Sequence, residues 1–155
     1  MLCIQVAPEQ VRERLWQLFL DYACELSKLD GQTRPRVKRH YDYFDRFWEN
    51  DTCTPFAIVY DHDPIGFCFV EDTGVSYKIT DFYIHPLHRR RGFGKEAVEY
   101  VKQHCRSLGR HKAITANVYV NNTPAIRFWQ SVGFCDTGRR IRIKRIRLME
   151  MECKL

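Results

Sequence analysis

The stretch HPLHRRRGFGKEA, residues 85–97, joins a strand-like segment to a helix-like one. Three arginines run directly into Gly92 and Gly94, and the spacing of an amphipathic helix begins there. The first turn of a helix exposes unpaired N–H groups and a partial positive charge. Since glycines also let a ligand approach the backbone, the stretch predicts a pyrophosphate site. A basic nucleic-acid patch and an ordinary solvated turn are the alternatives.

The spacing of the loop differs from two familiar nucleotide-binding motifs. The Gly-Lys-Ser/Thr sequence of a P-loop is missing, and the Gly-x-Gly-x-x-Gly fingerprint of dinucleotide-binding proteins stops after two glycines. The function of the loop must therefore be inferred from the neighbouring strand and helix.

Composition predicts one globular domain over residues 1–155. The chain is 45% hydrophobic and 14% aromatic, which is enough for a packed core. No apolar run approaches the length of a membrane helix, and the first residues lack the layout of a signal peptide, so we expect a cytoplasmic protein without membrane contact. Seven cysteines without Cys-x-x-Cys spacing and six histidines without metal spacing predict reduced thiols and no metal site.

Positive and negative residues are distributed unevenly along the chain. Residues 1–87 carry 9 Lys/Arg and 14 Asp/Glu, whereas residues 88–147 carry 15 Lys/Arg and only 3 Asp/Glu. The first part therefore suits a cation and the second an anion.

Hydrophobic periodicity predicts an α/β protein with a mixed sheet and helices on both faces. The helices are expected at 8–29, ending at Gly31, then from Arg36 to Glu49, and at 94–108 and 124–132. A hairpin is expected at 54–71 and strands at 75–85, 112–120, 135–143 and 146–153, with a turn near Lys144 and Arg145. An N-terminal strand at 2–7 would pair at one edge.

The strand, loop and helix resemble the acetyl-CoA motif of the GNAT superfamily of N-acetyltransferases. That motif, Arg/Gln-x-x-Gly-x-Gly/Ala, is matched by Arg89, Gly92 and Gly94. The segment NNTPAIRFWQSVGF, residues 121–134, is similar to the family's Asn-x-x-Ala…Gly-Phe segment. The resemblance implies the GNAT fold: a central, mixed, mostly antiparallel sheet of six to seven strands, flanked by about four helices.

The resemblance also implies acetyl-CoA as co-substrate, with no metal. The strands at 75–85 and 112–120 would separate at their ends, and the cofactor would lie in the cleft between them. The backbone N–H of Ile84 would polarise the thioester oxygen. The implied cofactor-binding residues are Phe82, Tyr83, Ile84, Arg89, Arg90, Arg91, Gly92, Phe93, Gly94, Lys95, Asn122 and Trp129.

The implied reaction is direct attack of an amine on the acetyl carbonyl in a ternary complex, which requires a base because an ammonium has no lone pair. Asp81 is the first candidate, since strand alternation puts it on one face with Tyr83 and His85. His85 is the second candidate. Trp129 stands where many family members carry a tyrosine, so the acid is left open between Tyr83, Tyr119 and water.

The acceptor pocket in this family is usually walled by the N-terminal helices. Here Tyr41, Asp42 and Asp45 form an acidic, aromatic pattern that suits a small cationic amine, unless it is only the wet face of a helix. The stretch TDFYI…RRRGFG also resembles spermidine/spermine acetyltransferases, with Thr80 in place of an acid.

Two other functions stay open. The acceptor could be a protein or peptide amine. The basic segment GRRIRIKRIR, residues 138–147, is the basis for a non-catalytic nucleic-acid-binding or regulatory module, for which the sequence gives less support because it lacks a base-stacking pattern. The resemblance also leaves a homodimer open.

Overall fold

The computed structural model of the protein describes residues 1–29 and 37–155, and the side chains of 37–39 lie outside that description. The helices are α1 (Arg12–Leu29), α2 (Val37–Glu49), α3 (Phe93–Leu108) and α4 (Thr123–Ser131). The strands are β1 (Leu2–Val6), β2 (Cys53–Tyr60), β3 (Asp63–Asp72), β4 (Tyr77–Ile84), β5 (Ala113–Tyr119), β6 (Cys135–Ile143) and β7 (Ile146–Lys154). The expected mixed α/β architecture is confirmed. The expected helix end at Gly31 and helix start at Arg36 fall outside the described residues.

The seven strands form one sheet in the order β1-β2-β3-β4-β5-β7-β6, with β4 and β5 parallel and every other pair antiparallel. The N-terminal strand pairs with β2, as expected for an edge strand. The expected turn near Lys144 closes the β6–β7 hairpin, with Ile143 opposite Ile146 and Lys144 at φ 55°.

A β-bulge at Thr80 reverses which side chains of β4 face each side of the sheet. Val70 of β3 pairs with Ile79 of β4 and Phe69 pairs with Asp81, so Thr80 is an extra, unpaired residue between them. Before the bulge, Tyr77 and Ile79 pack in the core beneath α3. After it, Tyr83 packs with α1 and α2, and Asp81 bonds to tyrosines of those two helices. The bulge thus turns Asp81 towards the N-terminal helices.

The two parallel strands separate at the same place. β4 and β5 are paired only from Tyr77 and Ile114 to Ile79 and Ala116. Beyond Ile79, β4 has no strand partner on that side among the described residues. The expected cleft therefore opens where the bulge bends β4 away from β5.

Helix α2 is rotated from its expected orientation. The spacing of Val37, Tyr41, Phe44 and Trp48 in the sequence predicts one apolar stripe through these residues. In the structure Phe44 and Phe47 are buried and Tyr41 is 44% exposed. Aromatic residues at 41, 43, 44, 47 and 48 allow either stripe. Packing against the sheet selects the orientation in which Phe44, Phe47 and Trp48 all contact Phe69 of β3. In the described part of the chain, no helix is long and apolar enough to cross a bilayer.

Candidate active site

The loop before α3 forms an open cradle of backbone amides. Arg90 and Gly92 both have positive φ, at 63° and 82°, and a Cβ at Gly92 would meet nothing within 4 Å. No side chain caps the helix, whose first turn closes with the Glu96 amide donating to the Gly92 carbonyl at 3.1 Å. The amides before Glu96 have no intrahelical partner, so they can bind an anion.

Gly94 has a packing role that Gly92 lacks. A Cβ at Gly94 would lie 3.3 Å from two ring atoms of Phe128 and 3.5 Å from Cδ1 of Ile84. The glycine lets the N-terminus of α3 sit against α4 and against the end of β4. It therefore brings the amide cradle to the mouth of the cleft.

The Arg89 side chain is bound to the protein itself. Its Nε donates to the Ile84 carbonyl at 2.7 Å, and its two terminal nitrogens donate to the Glu25 carboxylate at 2.8 Å each. The guanidinium also lies 5.2 Å from the centre of the Tyr83 ring. Arg89 therefore ties the loop to α1 and to the end of β4.

The remaining predicted cations of the loop differ in their contacts. Arg91 lies 4.7 Å from the ring centres of Tyr60 and Phe93, and donates to the Tyr60 hydroxyl. Arg90 and Lys95 are exposed, and no ion pair of theirs occurs among the described residues. Arg90 and Lys95 are thus the loop cations with neither an ion pair nor an aromatic contact among the described residues.

Asp81 is 8% exposed and is held by one tyrosine from each N-terminal helix. The Tyr22 hydroxyl donates to Oδ1 at 3.1 Å, and the Tyr43 hydroxyl donates to Oδ2 at 2.6 Å. Burial raises the pKa of Asp81, and the hydrogen bonds from Tyr43, Thr80 and Tyr22 work against that rise. The site thus contains a carboxyl group that takes up a proton more readily than a solvated one.

Tyr83 and His85, the other predicted catalytic residues, have different surroundings. Tyr83 is buried beside Tyr22, with ring centres 5.9 Å apart, and burial raises its pKa to about 12. His85 follows the end of β4, and its Nδ1 accepts from the Leu87 amide at 3.3 Å within a 3-10 turn. The fold therefore brings Tyr83 close to the Asp81 cluster and ties His85 into the loop.

The far wall of the cleft begins at β5. Asn122 caps α4, with its Oδ1 accepting from the Ala125 amide at 3.3 Å. Trp129 is buried, with its ring centre 5.5 Å from that of Phe82. Sequence reasoning did not single out Asn117 on β5, whose Oδ1 is buried without a partner among the described residues.

The predicted substrate residues of α2 face α1 or solvent. Tyr41 packs edge-on against Trp16 at 5.0 Å, and Asp45 accepts a hydrogen bond from Arg12. Asp42 is exposed. The α2 side chain that contacts Asp81 is Tyr43, which the sequence analysis missed because the orientation of α2 was not known.

Negative charge reaches the cleft from α1. Glu25 and Asp21 are both close enough to Tyr83 to raise its pKa further, although burial is the larger cause. Neither residue was singled out from the sequence. Within residues 1–29 and 37–155, no three or more His, Cys, Asp or Glu side chains are grouped so that they could hold a metal ion.

The basic segment of the sequence forms the β6–β7 hairpin. Arg139 pairs with Glu150 and Arg140 with Asp136. An arginine-rich cleft of about 410 Å³ lies beside the hairpin. Within the basic segment 138–147, the cations without a carboxylate partner in the described part of the chain are Arg142, Lys144, Arg145 and Arg147.

Solved structures share this fold at low sequence identity. The PaiA N-acetyltransferase of Thermoplasma acidophilum, in complex with coenzyme A, has a TM-score of 0.79 at 14% identity, over 100% of this chain and 99% of that one. The spermidine N-acetyltransferase of Vibrio cholerae, in complex with CoA and spermine, has a TM-score of 0.75 at 13% identity, over 99% and 95%. At these identities the likeness establishes the fold alone, which is the expected GNAT fold.

Curated relatives match parts of the chain. The peptidyl-lysine N-acetyltransferase YiaC of Escherichia coli is 40% identical over 52 residues, which are 34% of this chain and 32% of the relative. The spermine/spermidine N(1)-acetyltransferase of Bacillus subtilis is 29% identical over 92 residues, 54% of this chain and 60% of the relative. The matches thus span about a third and three fifths of the relatives' lengths.

A sequence model of the acetyltransferase (GNAT) family matches residues 13–134, from α1 to the segment that follows α4. The match includes the arginine-glycine loop, the bulged strand and the second motif on α4, and it covers most of the chain. The protein therefore belongs to the acetyltransferase (GNAT) family.

Proposed function

We propose that this protein is an N-acetyltransferase that transfers the acetyl group of acetyl-CoA to the primary amine of a small cationic substrate, by direct attack in a ternary complex. The observation that carries the proposal is the position of Asp81: a buried carboxyl group just beyond the point where β4 and β5 separate. It lies on the α1/α2 side of β4, and the amide cradle of α3 follows the end of the same strand.

The residues around the cleft fit acetyl-CoA. Positive φ at Arg90 and Gly92, with open space around Gly92, leaves room for a diphosphate against the free amides of α3. The exposed Arg90 and Lys95 add positive charge. Beyond Ile79, β4 has no strand partner on its β5 side among the described residues. The backbone groups of Phe82 and Ile84 point to that side and suit the amides of the pantetheine arm, whereas the Tyr83 carbonyl points to Gly66 of β3.

Acetyl-CoA supplies the activated acetyl group. Asp81 takes the proton that the attacking ammonium must lose, directly or through a water, and a new C–N bond forms as the C–S bond breaks. The N–H of Ile84 is proposed to donate to the carbonyl oxygen as negative charge develops there. His85 is the alternative base, and the proton donor to the leaving thiolate is proposed to be Tyr83, Tyr119 or water.

A cationic acceptor is supported by the charges near the cleft. Asp81 and Asp21 contribute carboxyl groups near the cleft that have no cationic partner among the described residues, whereas Glu25 is paired with Arg89, and the two unpaired acids favour an ammonium. Asp42, the exposed predicted acid of α2, is proposed as an outer contact for a longer polyamine, while Tyr41 packs on Trp16 and Asp45 is paired with Arg12. The similarity to spermine/spermidine N(1)-acetyltransferase supports the same class of substrate.

Acetylation of a peptide is the second candidate. It is favoured by the local similarity to a peptidyl-lysine N-acetyltransferase, which is higher in identity but shorter than the polyamine match.

A panel of acceptors separates the candidates. Purified protein is incubated with acetyl-CoA, and thiol release is measured with spermidine, spermine, an aminoglycoside, a lysine peptide and free N-terminal peptides. We expect the highest kcat/KM with a polyamine, and a loss of about 100-fold or more in Asp81→Asn, the size typical of general-base removal. Activity confined to peptides would transfer the assignment to the second candidate.

A further inference from the structure

Two phenol hydroxyls converge on one buried carboxylate from two different helices. Tyr22 on α1 donates to Oδ1 of Asp81, and Tyr43 on α2 donates to Oδ2. Each oxygen therefore has its own neutral donor, at 3.1 and 2.6 Å. Asp81 forms no ion pair with any cation in the described part of the chain.

This arrangement governs whether Asp81 is charged. A buried carboxylate without an adjacent cation is stabilised only by the hydrogen bonds that it accepts. We propose that Tyr22 and Tyr43 are positioning residues, which keep the carboxylate of Asp81 ionised and aim its remaining lone pairs towards the acceptor amine. The catalytic part of this inference rests on the proposed function.

The Thr80 hydroxyl of the strand also lowers the pKa of Asp81, and the two phenols are its hydrogen-bond donors from the helices. Helix α2 also presents Arg46, whose guanidinium stacks on the Tyr43 ring at 4.7 Å and acts on Asp81 only from a distance. On the strand side are the Thr80 hydroxyl and the Cys68 thiol, which is close enough to Asp81 to be affected by its charge. Tyr83 belongs to the core cluster that also contains Tyr22 and Tyr43. Tyr119 of β5 interacts electrostatically with Tyr22. Arg46 is the one cation among these groups.

The two tyrosines are suited to act as permanent donors. Burial and the neighbouring Asp81 raise the pKa of both phenols, Tyr22 and Tyr43. They therefore stay protonated throughout the range in which Asp81 titrates, and they donate whether or not a substrate is bound. A donor that holds the charged form of an acid lowers the pKa of that acid, so removing one hydroxyl must raise the pKa of Asp81.

The experiment compares Tyr22→Phe and Tyr43→Phe with Tyr100→Phe, a matched control on the outer face of α3, where Tyr100 is 42% exposed. The pKa of Asp81 is measured without any acceptor, by NMR titration of protein labelled with 13C at the aspartate carboxyl carbon. The Asp81 signal is assigned by its loss in Asp81→Asn. The acid limb of kcat/KM against pH is measured in parallel, and circular dichroism checks folding.

We expect the pKa of Asp81 and the acid limb of kcat/KM to move up together by about one pH unit in each variant. The larger shift is expected for Tyr43→Phe, because its bond is the shorter one, and Tyr100→Phe should leave both unchanged. A phenol that only held the helices in place would lower the melting temperature without moving the acid limb.

The two proposals fail in different ways. If the pKa of Asp81 stays within 0.3 units of wild type in both folded variants, or if it shifts while the acid limb does not follow, the inference is overturned. If the wild type acetylates no amine, the proposed function fails. A shifted NMR pKa would then still establish that the phenols control the charge of Asp81.

Discussion

Replacing Gly66 by alanine should separate β3 from β4 at the point where both position the cleft. Gly66 lies opposite Ile84. An added Cβ would lie 2.2 Å from the Tyr83 carbonyl oxygen and 3.1 Å from the Ile84 Cα. Both atoms belong to the backbone, so no side-chain rotation relieves the contact. The strands must move apart by about 1 Å in a closely packed sheet.

The cost follows from the nature of the clash. Overpacking a core typically costs about 1–3 kcal/mol, and a backbone clash belongs at the upper end. For a chain of this size, each kcal/mol lowers the melting temperature by roughly 2–4 °C. Gly66→Ala should therefore lose about 3 kcal/mol of unfolding free energy, and its melting temperature should fall by roughly 6–12 °C.

Thermal and urea denaturation followed by circular dichroism would measure this loss. Gly74→Ala is the matched control, because Gly74 has φ +88° and its Cβ would meet nothing within 4 Å. That variant has only the strain of a left-handed backbone, about 1–2 kcal/mol. If Gly66→Ala proved no less stable than Gly74→Ala, the close approach of β3 and β4 would be refuted.

Three further predictions concern the loop and the sheet. Gly94→Ala should weaken acetyl-CoA binding roughly fivefold in calorimetry, since its Cβ presses on Phe128 and shifts the amides; unchanged affinity would contradict this. Glu25→Gln should raise the KM for acetyl-CoA about two- to fivefold through Arg89, an effect that must shrink at 1 M salt. Hydrogen bonds lower the pKa of Asp72, so stability should fall as pH drops below about 4, and Asp72→Asn should flatten this part of the pH dependence of urea denaturation.

The loop and the element order were predictable because they depend on local physics. Glycines at 92 and 94 and a helix start after the arginines are features of neighbouring residues, and the alternation of strands and helices follows from apolar spacing. The orientation of α2 was not predictable in this way. Its aromatic residues allow two stripes, and they are distinguished only by packing against the sheet, which buries Phe47 and leaves Tyr41 exposed.

The site itself depended more on tertiary structure. The sequence singled out Asp81 but could not reveal its phenol partners, since Tyr22 and Tyr43 are 59 and 38 residues away along the chain. Nor could it show that Arg89 binds Glu25 rather than standing free for a phosphate. Such contacts depend on which elements pack together, and no local spacing encodes that.

The sequence by itself thus determined the family, the order of elements and the glycine loop, because motif residues and periodicity act over a few neighbouring positions. Tertiary structure alone decided which face of β4 carries Asp81. The extra residue at Thr80 exchanges the two faces of the strand, and it is recognisable only from the pairing with β3.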